Sequence, residues 1–245
     1  MVSAKPPFRG TVFVAPNTIT DKDPTSFLRA EKAGTGERVM FDRRARNFIK
    51  LEAHLFKAFF DDEKTIEVQV NPEFSAEEAL EQALRYLPAI GQIPGSLRSN
   101  VKTVWIHKGD YAFGGGNRNL LIHTARGEAF IKQGVLAETF LHEGTHTSLD
   151  AHHIRKPAWL TAQEKDPEFI SSYARQNPHG EDFAESFTLY FALRYKPGRV
   201  DDEFKNLLRK TMPNRIAYFD TLELDLHPVR KNGDAAKKDS GKKGP

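Results

Sequence analysis

Two histidines four residues apart with a glutamate between them, His142-Glu143-Gly144-Thr145-His146, constrain this chain more than any other feature. The pattern has chemical meaning only on a helix. At 3.6 residues per turn, His142 and His146 lie on one face about one turn apart, so both can grip one metal ion. Glu143 is turned by ~100° from His142. It stands outside the grip, within reach of a water in the metal's open position, and can take that water's proton as a general base. The flanks agree: Val135, Leu136, Phe140 and Leu141 precede the motif and Leu149 follows, an apolar stripe beside the histidines. A helix is therefore expected from Val135 to about Ala151. Gly144 costs such a helix about 1 kcal/mol of propensity. A helix crowded by neighbouring elements has a reason to carry it.

A catalytic zinc keeps three protein ligands and one open position, so the chain must supply a third. His152 and His153 lie more than a turn past His146, too far along the helix for one grip. Glu164 and Asp166 fall in a polar stretch, and Asp166 followed by Pro167 reads as the cap of a helix running toward Gln176. The stronger candidates are in EDFAESF, where Glu181 and Glu185 share one helical face beside the stripe Phe183, Phe187, Tyr190 and Phe191. Two carboxylates at the edge of a core repel and are costly to desolvate unless a cation or donor satisfies them. One would bind metal and the other would accept the N–H of a ligand histidine. The spacing alone does not say which.

The rest of the chain frames this site. Phe48, Leu51, Leu55 and Phe59 recur at helical spacing, so residues 42–60 are expected to be a helix. TIEVQV, Thr65 to Val70, alternates as a strand. Ser75 with Glu78 is a capping box opening a helix that should end near Pro88. VKTVWIH (residues 101–107) and NLLIHT (residues 119–124) read as strands, with Gly114-Gly115-Gly116 as a turn between them. Helices are expected from Glu181 to Tyr195, from about Asp201 to Lys210, and for a turn or two after Pro213. The fold class expected is α+β: a small mixed sheet, an active-site helix and a helical C-terminal half. Residues 1–40 read as an extended N-terminal segment with a short apolar run at Thr11-Val12-Phe13-Val14, residues 41–227 as one catalytic domain, and 228–245 as a disordered basic tail.

Charge and composition exclude several classes. The tail holds six basic and two acidic residues, a net +4, which leaves −1 on the remainder of a chain whose total is +3. A nucleic-acid-binding domain would place its positive charge on the folded surface, so nucleic acid is not an expected partner. No apolar run reaches the ~18–20 residues of a membrane span, and the first residues lack the apolar stretch of a signal peptide. There is no cysteine, which removes thiolate ligands, the cysteine nucleophile and disulfides.

The segment SSYARQNPHGEDFAESF, together with the His142-Glu143-x-x-His146 helix before it and TMPNRIAYFDTL after it, resembles the catalytic domain of anthrax lethal factor and its relatives, the Pro-Pro endopeptidases of secreted bacterial zinc proteases. The resemblance spans roughly residues 100–225. It implies a zincin-like fold and one zinc per chain held by His142, His146 and Glu181, with Glu143 as the base and Glu185 behind the ligands. It also implies that Tyr173 donates to the oxyanion, that Asp150 orients or caps, and that an edge strand at Leu120–His123 pairs with the substrate backbone. The sequence departs from the family at Ala174, where a glycine is usual, and by an added residue near Pro178-His179-Gly180. The function implied is a monomeric zinc metalloendopeptidase (gluzincin type) acting on a peptide or protein, secreted by analogy although no signal peptide is visible. Trp105, His123 and Trp159 are candidates for its pocket walls. The alternative is a catalytically silent relative that uses the same cleft to bind a protein.

Overall fold

In the computed structural model, which describes residues 5–11 and 18–229, one six-stranded mixed sheet is backed by helices. The expected α+β class holds, with two helices between the third and fourth strands and a helical C-terminal half after the sixth. The strands are β1 (Phe27–Asp42), β2 (Asn47–Phe60), β3 (Thr65–Val70), β4 (Thr103–His107), β5 (Gly114–Gly116) and β6 (Asn119–His123), in the spatial order β1-β2-β3-β4-β6-β5. β3, β4 and β6 are parallel, and the other pairings are antiparallel. The basic tail from residue 230 on, and most of the Thr11–Val14 run, lie outside the described residues. No described helix is long and apolar enough to cross a membrane.

The helix expected over 42–60 is instead strand β2. The three-and-four spacing of Phe48, Leu51, Leu55 and Phe59 is coincidental, because these side chains do not share an environment: Phe48 is 54% exposed while Leu55 is buried. What organises the segment is period two. Leu51, Ala53 and Leu55 turn to one face with Met40 and Trp105, whereas Phe56, Ala58 and Phe60 turn to the main core. Pairing with β1 along its whole length decides the matter. That pairing also removes the expected boundary at residue 41, since β1 begins at Phe27 and belongs to the sheet.

β3 matches its expected bounds. So does the start of helix α1 (Ala76–Gln92), where Ser75 Oγ accepts from Glu78 N and the Glu78 carboxylate accepts from Ser75 N. Pro88 does not end α1. The helix runs on and buries Leu87 and Ile90 completely, a gain that outweighs one missing backbone bond. The short helix α2 (Gly95–Arg98) follows it.

The glycine triplet is not a turn but the edge strand β5. The turn is Asn117-Arg118, both with positive φ (48° and 64°), as a two-residue hairpin of the right-handed twist requires. Strand β6, the expected edge, lies inside the sheet between β4 and β5.

Helices α3 (Thr124–Gln133) and α4 (Leu136–Ser148) follow, then α5 (Asp150–His153) and α6 (Pro157–Lys165). Pro157 opens α6 at the first helical position. Asp166 ends α6 rather than capping a helix at Pro167, because its carboxylate is taken by Arg215 and Asn214 from the far end of the chain. Helix α7 (Ser172–Gln176) starts later, with Ser171 as its cap. α8 (Asp182–Tyr195), α9 (Asp202–Thr211) and α10 (Pro213–Phe219) fall where expected. Trp159, Phe183, Phe187 and Phe219 interlock in edge-to-face and tilted contacts and fasten α6, α8 and α10 into one layer.

Candidate metal centre

α4 packs against the edge strand β5. Gly144 faces α2: a Cβ there would come within 2.9 Å of Ile93 Cδ1 and 3.2 Å of Leu97 O. The crowding expected from this glycine is thus present. A second close approach is tighter. A Cβ on Gly115 would sit 2.0 Å from Glu143 O, so β5 can lie on α4 only with glycine at that position. Thr147 Oγ1 joins the two elements, accepting from Gly116 N at 2.8 Å.

α8 packs against α4 and brings Glu181, the residue preceding its first turn, opposite the histidines. His142 Nε2 and His146 Nε2 are 3.1 Å apart, and Glu181 Oε2 lies 3.2 Å from His146 Nε2 and 3.4 Å from His142 Nε2. A tetrahedral ion with bonds of about 2.0–2.1 Å spaces its ligand atoms roughly 3.3–3.4 Å apart. The three donor atoms therefore fit a zinc-sized ion in both type and separation, and they are the one such group among the described residues.

Of the two candidate glutamates, Glu181 enters this triad and Glu185 does not. Glu185 is fully buried behind His142: one oxygen accepts from Ser171 Oγ at 2.7 Å and the other is 4.0 Å from His142 Nδ1. Asp150 takes the orienting position for His146, with Oδ2 2.7 Å from Nδ1. That contact fixes the ring so that Nε2 faces Glu181. Burial would lower the basicity of His146, but its bonds to Asp150 and Glu181 raise its pKa to about 10. Burial likewise disfavours a charged Glu181, yet the His142 and His146 bonds hold its carboxyl well below the usual carboxylate range. Without a metal, the carboxylates thus favour a proton on His146, which a bound cation would have to displace.

Glu143 and Tyr173 line the same cleft as the triad. The added residue near Pro178 does not carry Tyr173 away from the site. Its hydroxyl feels the charge of Glu181, and burial together with that negative charge pushes its pKa up to about 12, so it remains a donor. The other candidates are elsewhere. His153 stacks on Phe183 and bonds Tyr218 Oη, and His152 is exposed on the far end of α5. Glu164 is exposed on α6. Trp159 belongs to the core, Trp105 to the opposite sheet face, and His123 is buried against His107. None of these three walls the cleft.

The walls are Gly114–Gly116, Phe113, Phe130, Thr139, Arg43 and Arg126, around a cavity of about 490 Å³. Arg43 had no local signal, since it sits in the turn between β1 and β2. Comparison with protein-family models, with curated proteins and with solved structures returns no match for this chain.

Proposed function

We propose that the chain is a zinc-dependent metalloendopeptidase with a zincin-like, lethal-factor-like catalytic domain. The observation that carries this reading is the spacing of His142 Nε2, His146 Nε2 and Glu181 Oε2, with Glu143 beside them in an open cleft. Zinc bound there would supply a Lewis acid and lower the pKa of the attacking water. The chain's own groups do the rest. Glu143 accepts the water's proton and delivers it to the leaving amine. Tyr173 Oη donates to the oxygen that gains charge, a role its high pKa suits. Asp150 keeps the His146 ring in register.

The substrate strand has a berth as well. β5 ends the sheet, its outer edge pairs with no described strand, and it rests directly on Glu143. An extended peptide adding to that edge would pass the base and the triad. Substrate pairing is therefore assigned to Gly114–Gly116 rather than to β6.

The test is zinc per chain and peptide cleavage for the purified protein beside three variants. About one zinc is expected in the parent and in Glu143→Gln, with cleavage lost in the latter. Glu181→Ala should lose the metal, and Glu185→Ala should keep most of it. No zinc in any form after incubation with excess metal would end the proposal.

A further inference from the structure

The cleft is divided by charge. Glu143, Asp150 and Glu181 stand with the histidines, and Arg43 and Arg126 stand beside Phe113 and Phe130. Arg43 is held out from the β1–β2 turn, where its Nη2 donates to Phe113 O at 2.8 Å. Its Nε is buried without a partner, and it has no ion pair among the described residues. The neighbouring Arg44 differs completely: it binds both Asp42 and Glu73, which raise its pKa. Arg126 reaches the cleft from α3, and its one carboxylate partner among the described residues is Asp110, whose side chain is 64% exposed. Such a pair is weak and easily exchanged. A half-buried guanidinium without a counter-charge is costly unless something arriving supplies one.

Position narrows what arrives. Beneath the arginines the wall is Phe113, Phe130 and Thr139. Thr139 and Glu143 are four apart on α4, so this wall lies about one helical turn, roughly 5–6 Å, from the base. An extended peptide advances about 3.3 Å per residue. The group met by Arg43 is then within two residues of the bond beside Glu143.

We infer that Arg43, supported by Arg126, is a specificity residue that binds a carboxylate of the peptide, namely an Asp or Glu side chain within two residues of the scissile bond. Its place in a reaction rests on the protease reading, but its capacity to bind an acidic peptide does not. The apolar stem of Glu lies on Phe113 and Phe130, and the guanidinium of Arg43 offers its remaining N–H groups to the oxygens.

Two arms test this. In the first, zinc-loaded protein digests a library of peptides with blocked termini, and the same library with free C-termini, and cleavage sites are read by mass spectrometry. Acidic residues should be enriched at one fixed position in both libraries. Arg43→Gln should lose that enrichment, with kcat/KM on the best acidic peptide falling about tenfold or more. Arg43→Glu should shift the preference to Lys or Arg, and Arg43→Lys should restore part of the acidic preference. Cleavage confined to the last residues of free-ended peptides would assign the carboxylate to a chain terminus and overturn the side-chain assignment. Cleavage with an unchanged profile in Arg43→Gln would overturn the inference while leaving the protease reading intact.

The second arm uses Glu143→Gln protein and labelled, amidated alanine-based octapeptides carrying one Glu or one Gln, with binding followed by anisotropy. Tighter binding of the Glu peptides, weakened about tenfold by adding Arg43→Gln or, less strongly, Arg126→Gln, supports the subsite even if the parent cleaves nothing. Equal binding of Glu and Gln peptides overturns it.

Discussion

Replacing Arg215 by Met should unsettle both the fold and the metal site. Arg215, Asp166 and Asp182 have no exposed side-chain surface. Arg215 Nε donates to Asp182 Oδ2 at 2.8 Å, and Nη1 donates to Asp166 Oδ2 at 2.9 Å. Methionine fills much of the volume and keeps contact with Trp159 and Phe169, so the packing loss is small. The electrostatic loss is large, because two buried carboxylates lose the cation they share. Removing one partner of a buried pair costs about 3–5 kcal/mol, a large part of the ~5–15 kcal/mol that stabilises a typical domain. Burial already raises the pKa of Asp182, and Arg215 opposes that rise. Without Arg215 the raised carboxyl takes up a proton more readily in the folded state, so the deficit must shrink as pH falls from 7 to 5. Urea unfolding followed by circular dichroism at both pH values measures it, with Arg215→Met/Asp166→Asn/Asp182→Asn as the rescued control. A deficit below 1 kcal/mol, or one identical at the two pH values, would refute the argument. Since Asp182 follows Glu181, the variant should also bind zinc less tightly at pH 7.

Three further outcomes are expected. Tyr173→Phe should keep its zinc and lower kcat by roughly 10²–10³-fold, as loss of one oxyanion donor does; an unchanged kcat would remove Tyr173 from the chemistry. Gly115→Ala must push β5 off Glu143 O, so peptide cleavage should fall sharply while zinc content, set by α4 and α8, stays near one per chain. His107 is held neutral by burial, against the pull of Asp42, with its pKa lowered to about 4. Its contribution to stability is complete above the unfolded pKa of about 6.5 and is lost as pH falls toward 4, up to ~3 kcal/mol. His107→Gln should flatten that part of the unfolding profile, and an identical slope in the two proteins would contradict the assignment.

What the sequence revealed and what it hid follow one division. Local chemistry was legible. The Ser75–Glu78 box, the alternation in TIEVQV and the apolar stripe of α4 are satisfied within a few residues of themselves, so their pattern survives folding. The histidine pair too was readable, because one helix carries both donors at one-turn spacing, whereas spacing did not separate Glu181 from Glu185, whose carboxylate is taken by Ser171. Where a distant segment claims a residue, the pattern misleads. β2 looked helical until β1 paired with it, and Asp166 looked like a cap until Arg215 took its carboxylate. Arg43 is the extreme case. Its sequence neighbours, Asp42 and Arg44, suggest an ordinary charged turn. Its role depends on two distant facts: a carbonyl at Phe113 that aims it into the cleft, and the commitment of Asp42 to Arg44, which leaves Arg43 without a counter-charge among the described residues. The metal end of such a cleft is written in a motif because one ion dictates its ligands. The substrate end is assembled from turns and edges, each free to vary, and only their meeting in space gives it a charge to select by.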